Sequence, residues 1–125
     1  MPYRPMTLVD LARFLRATDD GTRWRLVAEF LKEFHGESAA SRSALLRDEP
    51  AGTGDPRWDA LLAALAEHLA AKDGDAGPDW SNNRVLPTFW FPFNTAAARV
   101  DAVVHSPASF RRRGIFIAAR EFEVA

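Results

Sequence analysis

The sequence predicts a mainly α-helical protein: a compact bundle of about five to six short helices, an irregular segment rich in proline and aromatic residues, and a short extended segment near the C-terminal end. Three observations support this prediction. Apolar residues recur at helical spacing, Ser, Thr and Asp stand where N-caps are expected, and two prolines interrupt an aromatic stretch. The 125 residues are enough for one domain that buries a core without disulfides or metals.

The first two helices are predicted from caps and apolar periodicity. Thr7 and Asp10 have the spacing of a capping box, and an apolar stripe follows them. The stretch 19–21, Asp-Asp-Gly, is typical of a turn. The second helix is then predicted from about Thr22 onward, with Gly36 as a left-handed cap at its C-terminal end. The apolar positions of these two helices are Leu8, Leu11, Ala12, Leu15, Leu26, Val27, Phe30, Leu31 and Phe34.

A third and a fourth helix follow. Ser38 is a candidate N-cap for a short helix, and residues 49–57 form a loop that contains two prolines and two glycines. Asp55 as N-cap and Pro56 at the first helical position open a helix that reaches about Lys72. Its apolar side chains recur at helical spacing, so one face is predicted to be buried. These residues are Trp58, Leu61, Leu62, Leu65, Ala66 and Leu69.

The C-terminal third is predicted to be less regular. Asp79 and Trp80 are expected to open a short helical turn. Pro87 and Pro92 exclude a regular helix through the aromatic stretch. Beyond them, Asn94 or Thr95 is a candidate cap for a helix over residues 96–104.

The last part of the chain contains a second cap-like signal. Ser106 and Pro107 are predicted to open a short helix that ends at Gly114. Residues 115–117, Ile-Phe-Ile, favour a short strand or extended segment, and residues 121–125 alternate apolar and acidic side chains. We therefore expect one helical domain over 1–125. It divides into N-terminal helices at 1–48, the loop at 49–57, and a helix with an aromatic, arginine-rich C-terminal module at 58–125.

Composition excludes several classes of function. The chain has no cysteine, so it has no disulfide, thiolate zinc site, iron–sulfur cluster or cysteine nucleophile. Its formal net charge is −1, which gives no overall attraction to nucleic acid or anionic lipid. No apolar run is long enough to span a bilayer and no signal peptide is evident. We therefore expect a cytoplasmic protein without a membrane partner.

No catalytic motif is present. The three histidines, His35, His68 and His105, lack the spacing of a helical metal pair. The sequence has no nucleophile elbow, phosphate loop or dinucleotide fingerprint. Paired acids such as Asp19-Asp20 stand in predicted turns, where solvated carboxylates are common. The expectation is a protein that is not an enzyme, with no metal and no cofactor.

Two features favour binding. The triplet Arg111-Arg112-Arg113 supplies groups suited to phosphate contacts, so a nucleic-acid-binding regulator is one hypothesis. Consecutive helical residues point about 100° apart, however, so at least one of these arginines is expected to pack internally. Eight of the fourteen aromatic residues follow residue 79, and aromatics with arginine anchor protein interfaces. We expect Trp90 and Phe110 to be buried, and some of the other aromatics to face a protein partner or a second copy of the chain.

The same third of the chain carries a family resemblance. Its motifs are Phe89-Trp90-Phe91-Pro92, Ala98-Arg99-Val100-Asp101-Ala102 and Ser106-Pro107-Ala108-Ser109-Phe110-Arg111-Arg112-Arg113-Gly114-Ile115-Phe116-Ile117. Over about residues 80–125 the chain resembles the C-terminal module of small actinobacterial antitoxin-like proteins encoded beside nucleotidyltransferase-type toxins. Some members of that group also carry a helix-turn-helix repressor domain, for which this chain has no clear counterpart.

The resemblance implies a non-enzymatic protein-binding module of antitoxin-like type. Its partner would be a neighbouring nucleotidyltransferase-like protein, which it masks or accompanies. The alternative is a nucleic-acid-binding transcriptional regulator that uses the patch Arg111–Arg113. The candidate partner-binding residues are Phe89, Phe91, Phe93, Arg111, Arg112, Arg113 and Phe116.

Overall fold

The structure is a computed structural model that describes residues 4–123. It is mainly helical, with 62% of residues in helices, which confirms the predicted fold class. Within the described residues the helices are α1 (Leu8–Arg16), α2 (Asp20–His35), α3 (Ala39–Arg47), α4 (Pro56–Lys72), α5 (Ala96–His105) and α6 (Ala108–Arg111). Two 3₁₀ turns, Asp79–Asn83 and Ala119–Phe122, complete the regular structure. None of these helices is both long and apolar enough to cross a membrane.

Helix α4 lies at the centre of the bundle. Its bounds agree with the sequence-based prediction, but its burial goes beyond one face, because every residue from Ala60 to Ala66 is buried. A helix that is apolar on all sides belongs in the middle of a core. The alanines at positions 60, 63 and 64 allow neighbouring elements to approach closely. The elements packed on α4 are α1, α3, α6 and the turn Asp79–Asn83.

Two of the predictions about helix ends in the N-terminal half are wrong. The capping box of Thr7 and Asp10 is present, and Ser38 caps α3 as predicted. The turn predicted at 19–21 is wrong, because the Asp19 side chain accepts a hydrogen bond from the Thr22 N–H and α2 already begins at Asp20. Asp is a strong N-cap, and this role outweighs its preference for turns. Gly36 is the C-cap of α2, but its φ of −80° is right-handed, so the predicted left-handed cap is also wrong.

The C-terminal third folds back on itself without forming a strand in the described chain. The Leu86 N–H donates to the Arg113 carbonyl at 3.0 Å, and the Trp90 N–H donates to the Gly114 carbonyl at 2.8 Å. The Phe116 N–H then donates to the Trp90 carbonyl at 2.9 Å. Residues 115–117 therefore take the extended alternative of the prediction. Gly114 has a φ of 82°, a left-handed conformation that favours glycine and that turns the chain into this pairing.

The cap predicted at Ser106 is wrong. Thr95 caps α5 as one of the two proposed residues, but Ser106 makes no cap hydrogen bond to α6. Its hydroxyl instead donates to the Ala102 carbonyl, and its oxygen accepts from the Ile117 N–H at 2.8 Å. Ser106 thus joins the end of α5 to the extended segment. The predicted alternation at 121–125 lies partly outside the described residues.

Candidate functional site

The three consecutive arginines lie in three different environments. Arg111 is exposed, and its guanidinium donates to the Val103 carbonyl at the C-terminal end of α5, at 2.7 Å. Arg112 is partly exposed and forms a two-point ion pair with Glu67 of α4, with Nε 2.9 Å from Oε1. Arg113 is fully buried. The triplet therefore does not form one patch toward a ligand.

Arg113 is a structural residue, which corrects its assignment to a partner-binding surface. Its Nη1 donates to the Ser109 carbonyl at 2.8 Å and to Oε1 of Glu67 at 3.1 Å. Its Nη2 donates to the Ser81 carbonyl at 3.0 Å. The side chain thereby ties α6, α4 and the turn Asp79–Asn83 together. The physical reason is the direction of the side chains: that of Arg113 points into the bundle, whereas that of Arg112 points toward solvent.

Glu67 forms ion pairs with two of the three arginines of the triplet, Arg112 and Arg113. The hydrogen bonds from Arg112, and then those from Arg113, lower the pKa of the Glu67 carboxyl to about 2, although partial burial opposes this. The carboxylate is therefore ionised at neutral pH and neutralises its partners. Arg111 and Arg112 are both exposed, but Arg111 is the member of the triplet without a carboxylate partner among the described residues.

The aromatic stretch divides between the core and the surface. Phe110 is buried, as expected, in a stack with Phe122 at 4.5 Å between ring centroids. Trp90 is only partly buried, so the expectation of an interior residue holds in part; its ring contacts that of Trp58 at 5.7 Å. Phe93 is also partly exposed and packs against a tryptophan of α2.

Three other phenylalanines form a cluster at the surface. Phe89 is 75% exposed, and its ring meets the edge of Phe116 at 5.2 Å. Phe116 stacks in turn on Phe91 at 5.2 Å. Both Phe91 and Phe116 are partly buried. The pairing of the two chain segments around Gly114 brings these residues together from positions more than twenty residues apart.

Helix α5 extends this cluster with aliphatic side chains that our sequence-based selection missed. Val100, Val103 and Val104 are all exposed, and Ala102 is the buried residue of the helix. The three valines line a shallow groove of about 320 Å³ together with Phe91 and Arg99. Their spacing of i, i+3 and i+4 was the available signal, but it is also typical of a core-facing stripe. We name the surface formed by Phe89, Phe91, Phe116, Val100, Val103 and Val104 the aromatic–valine face.

The side chains of this surface are suited to apolar contact with another molecule and not to proton transfer. It carries no histidine and no carboxylate among its members, and the Arg99 guanidinium lies over the Phe91 ring at 4.6 Å. Among residues 4–123, no three His, Asp or Glu side chains are grouped so that they could hold a metal ion. Comparisons with protein-family models, with curated proteins and with solved structures found no match to this sequence.

Proposed function

We propose that this chain is a protein-binding module that contacts its partner through the aromatic–valine face. The observation that carries the proposal is a 75% exposed phenylalanine that connects, through the rings of Phe116 and Phe91, to a helix whose valines face solvent. Single exposed apolar residues are normal, but a continuous group of them on one side of a small protein marks an interaction surface. Two elements that are distant in sequence contribute to this surface, so it is a property of the fold.

The energetic argument follows from the exposed area. Burying an apolar side chain contributes roughly 1.5–3 kcal/mol, so a partner that covers Phe89 and the three valines gains several such contributions. Phenylalanine rings that are already packed against one another lose little freedom on binding. Arg99 lines the groove with Phe91 and the three valines and offers a cation to a partner carboxylate.

The identity of the partner rests on the resemblance of residues 80–125. We propose an antitoxin-like role in the cytoplasm, in which the chain masks or accompanies a nucleotidyltransferase-like protein encoded beside it and catalyses no reaction itself. A second copy of the chain is the alternative occupant of the same surface. The nucleic-acid alternative has less support, because Arg112 is engaged by Glu67 and Arg113 is buried.

Co-expression with the product of the adjacent open reading frame, followed by size-exclusion chromatography, tests this proposal. We expect one complex for the wild-type chain. The variant Val104→Asp, at a 63% exposed position in the face, should lose the complex because it places a charge in an apolar contact. The matched control Val85→Asp, at a 55% exposed valine outside the face, should keep it.

Two outcomes would count against the proposal. Wild-type protein that elutes without the neighbouring product would remove the assigned partner. Loss of the complex in both valine variants would show that the substitution disturbs folding or solubility and not the face. A dimer of the chain alone, abolished by Val104→Asp and kept by Val85→Asp, would assign the face to a second copy.

A further inference from the structure

A second concave site shares Phe91 and Arg99 with the groove along α5. It is a cleft of about 510 Å³, which is within the usual range for small-molecule sites. Helices α2 and α4 form one wall, and the segment 89–94 with Arg99 of α5 forms the other. The side chains that carry its chemistry are those of Arg57, Arg99, Trp24, Trp58, Trp90 and Phe91.

Two guanidinium groups in this cleft are free to bind. Arg57 lies over the Trp90 ring at 5.7 Å, and Arg99 lies over the Phe91 ring at 4.6 Å. Neither guanidinium has a hydrogen bond or an ion pair with any residue between 4 and 123. A cation–π contact places the guanidinium but leaves its N–H donors available. Both arginines thus present unused donors and a positive charge to one cleft.

The tryptophans of the cleft add neutral donors. Trp58 is 2% exposed, yet its indole N–H has no acceptor among the described side chains and carbonyls. The indole groups of Trp24 and Trp90 likewise have no acceptor in that part of the chain. None of these three Nε1 atoms is among the buried side-chain atoms without a partner in residues 4–123, so the indole N–H groups are accessible and can donate to a ligand in the cleft.

The acidic groups of the cleft are already engaged. Arg23 approaches Asp20 at 3.0 Å and Asp55 at 3.5 Å. Asp55 also accepts the Arg57 N–H as the N-cap of α4. The lining itself holds two arginines and two aspartates, and Arg23, which does not line the cleft, pairs with both aspartates, so the charges of Arg57 and Arg99 are left without a carboxylate partner. The polar side chains of the cleft that have no partner are hydrogen-bond donors, except Asn94, whose amide is both a donor and an acceptor.

We propose that this cleft binds a small anionic ligand, a phosphate or a carboxylate that carries a flat organic group. Arg57 and Arg99 contact the anionic oxygens, because a guanidinium matches both groups in charge and geometry. The aromatic rim at Phe89, Trp90 and Phe91 contacts the flat group. The cleft shares Phe89, Phe91 and Arg99 with the surface proposed above for a protein partner, but the inference concerns ligand binding to the isolated chain and is tested without that partner.

Tryptophan fluorescence of the purified chain tests the inference directly, because three of its four tryptophans line the cleft. Pyrophosphate and citrate, which absorb no excitation light, serve as phosphate and carboxylate probes at fixed ionic strength. We expect a saturable change with at least one of them. ADP, titrated by calorimetry, should bind more tightly than pyrophosphate if the flat group contributes.

Variants test whether the fluorescence change arises from binding in the cleft. Arg57→Ala and Arg99→Ala should each weaken binding roughly tenfold, since each removes a charged hydrogen-bond donor. Arg25→Ala, at an exposed arginine of α2 that does not line the cleft, should leave affinity unchanged. Urea unfolding of each variant establishes that it is folded.

The inference is overturned if neither anion gives a saturable change. It is also overturned if the double variant Arg57→Ala/Arg99→Ala binds as well as the wild-type chain. ADP affinity no greater than that of pyrophosphate would overturn the assignment of a flat organic group.

Discussion

Glu67 and Arg113 show at the scale of single residues how the bundle accommodates charge. Arg113 is fully buried, and its guanidinium has two carbonyl acceptors besides the carboxylate of Glu67. A buried charge costs free energy unless it is paired and hydrogen-bonded. Its Nε is nevertheless buried without a partner among the described residues. The carboxylate of Glu67 is therefore the main compensation for this buried cation.

The variant Glu67→Gln should destabilise the protein by about 3 kcal/mol at pH 7, because it leaves Arg113 buried without a counter-charge. The native pKa of Glu67 is lowered from 4.5 to about 2. Its stabilisation is therefore fully present above about pH 4.5 and is lost as the pH falls toward 2. Urea unfolding at several pH values should show that the difference in unfolding free energy between wild type and variant becomes smaller over that interval.

The control for this prediction is Glu29→Gln, at an exposed glutamate of α2. Asp10 and Asp73 also have lowered pKa values, so wild type and both variants all lose stability in acid. The difference in unfolding free energy between wild type and Glu67→Gln, compared with that between wild type and Glu29→Gln, therefore reports the contribution of Glu67 alone. A gap that stays constant from pH 7 to pH 2 would contradict the role assigned to its carboxylate.

His68 offers a second test at the residue scale. Its ring lies beside the stacked rings of Phe110 and Phe122, and its Nε2 is buried without a partner within residues 4–123. Burial first, and then the charge of Lys72, lower its pKa below 6.5, against an opposing effect of Glu123. The unfolded chain thus takes up a proton near pH 6.5 that the folded chain resists, and stability is lost as the pH falls below that value.

His68→Leu should therefore stabilise the protein, by about 1 kcal/mol at pH 8 through loss of an unpaired polar atom, and by more at pH 5. Thermal unfolding at both pH values measures this change. His105→Leu, at a histidine whose side chain is 60% exposed, is the control and should have little effect at pH 8. A variant that is no more stable than wild type at pH 5 would refute the assignment of His68 as a buried neutral ring.

At the scale of elements, the loop between α4 and the turn Asp79–Asn83 packs closely on the central helix. A methyl group added at Gly77 would lie 3.1 Å from both Cα and Cβ of Glu67. The backbone of a buried helix does not move easily, so the loop must shift. Gly77→Ala should destabilise the protein by about 1 kcal/mol in urea unfolding.

The matched substitution is Gly21→Ala in the first turn of α2. There the added methyl group comes no closer than 3.5 Å, to the Asp19 carboxylate. Alanine is a better helix former than glycine, so this variant should be more stable by about 0.5–1 kcal/mol. Effects of the same sign in the two variants would contradict the close packing of the loop on α4.

Helix positions could be predicted because their signals are local. The bounds of α4 follow from Asp55, Pro56 and an apolar pattern that needs no knowledge of neighbours. The errors at Asp19 and Ser106 arose where one residue type suits two roles; a local cap hydrogen bond from the Thr22 N–H decided at Asp19, and a contact with Ile117 decided at Ser106. The Ser106 hydroxyl does not cap α6, because it is engaged by the Ala102 carbonyl at the end of α5 and by the Ile117 N–H.

At the scale of the whole molecule, the candidate site depends on how the C-terminal third folds back. Periodicity could not indicate whether the valines of α5 face the core or solvent, because both arrangements have the same spacing. Nor could the triplet reveal which arginine is buried. Phe89, one of the candidate partner-binding residues, is exposed, and its contact with Phe116 depends on the pairing near Gly114.

The central claim is that the aromatic–valine face binds a protein partner, and its most direct test is the dissociation constant for the neighbouring gene's product. Phe89→Ala should weaken binding at least tenfold, because it removes the most exposed ring of the face. Phe14→Ala, at a 43% exposed phenylalanine of α1 outside the face, should leave the dissociation constant unchanged. Equal affinity for wild type and Phe89→Ala, or equal weakening by both substitutions, would contradict the claim.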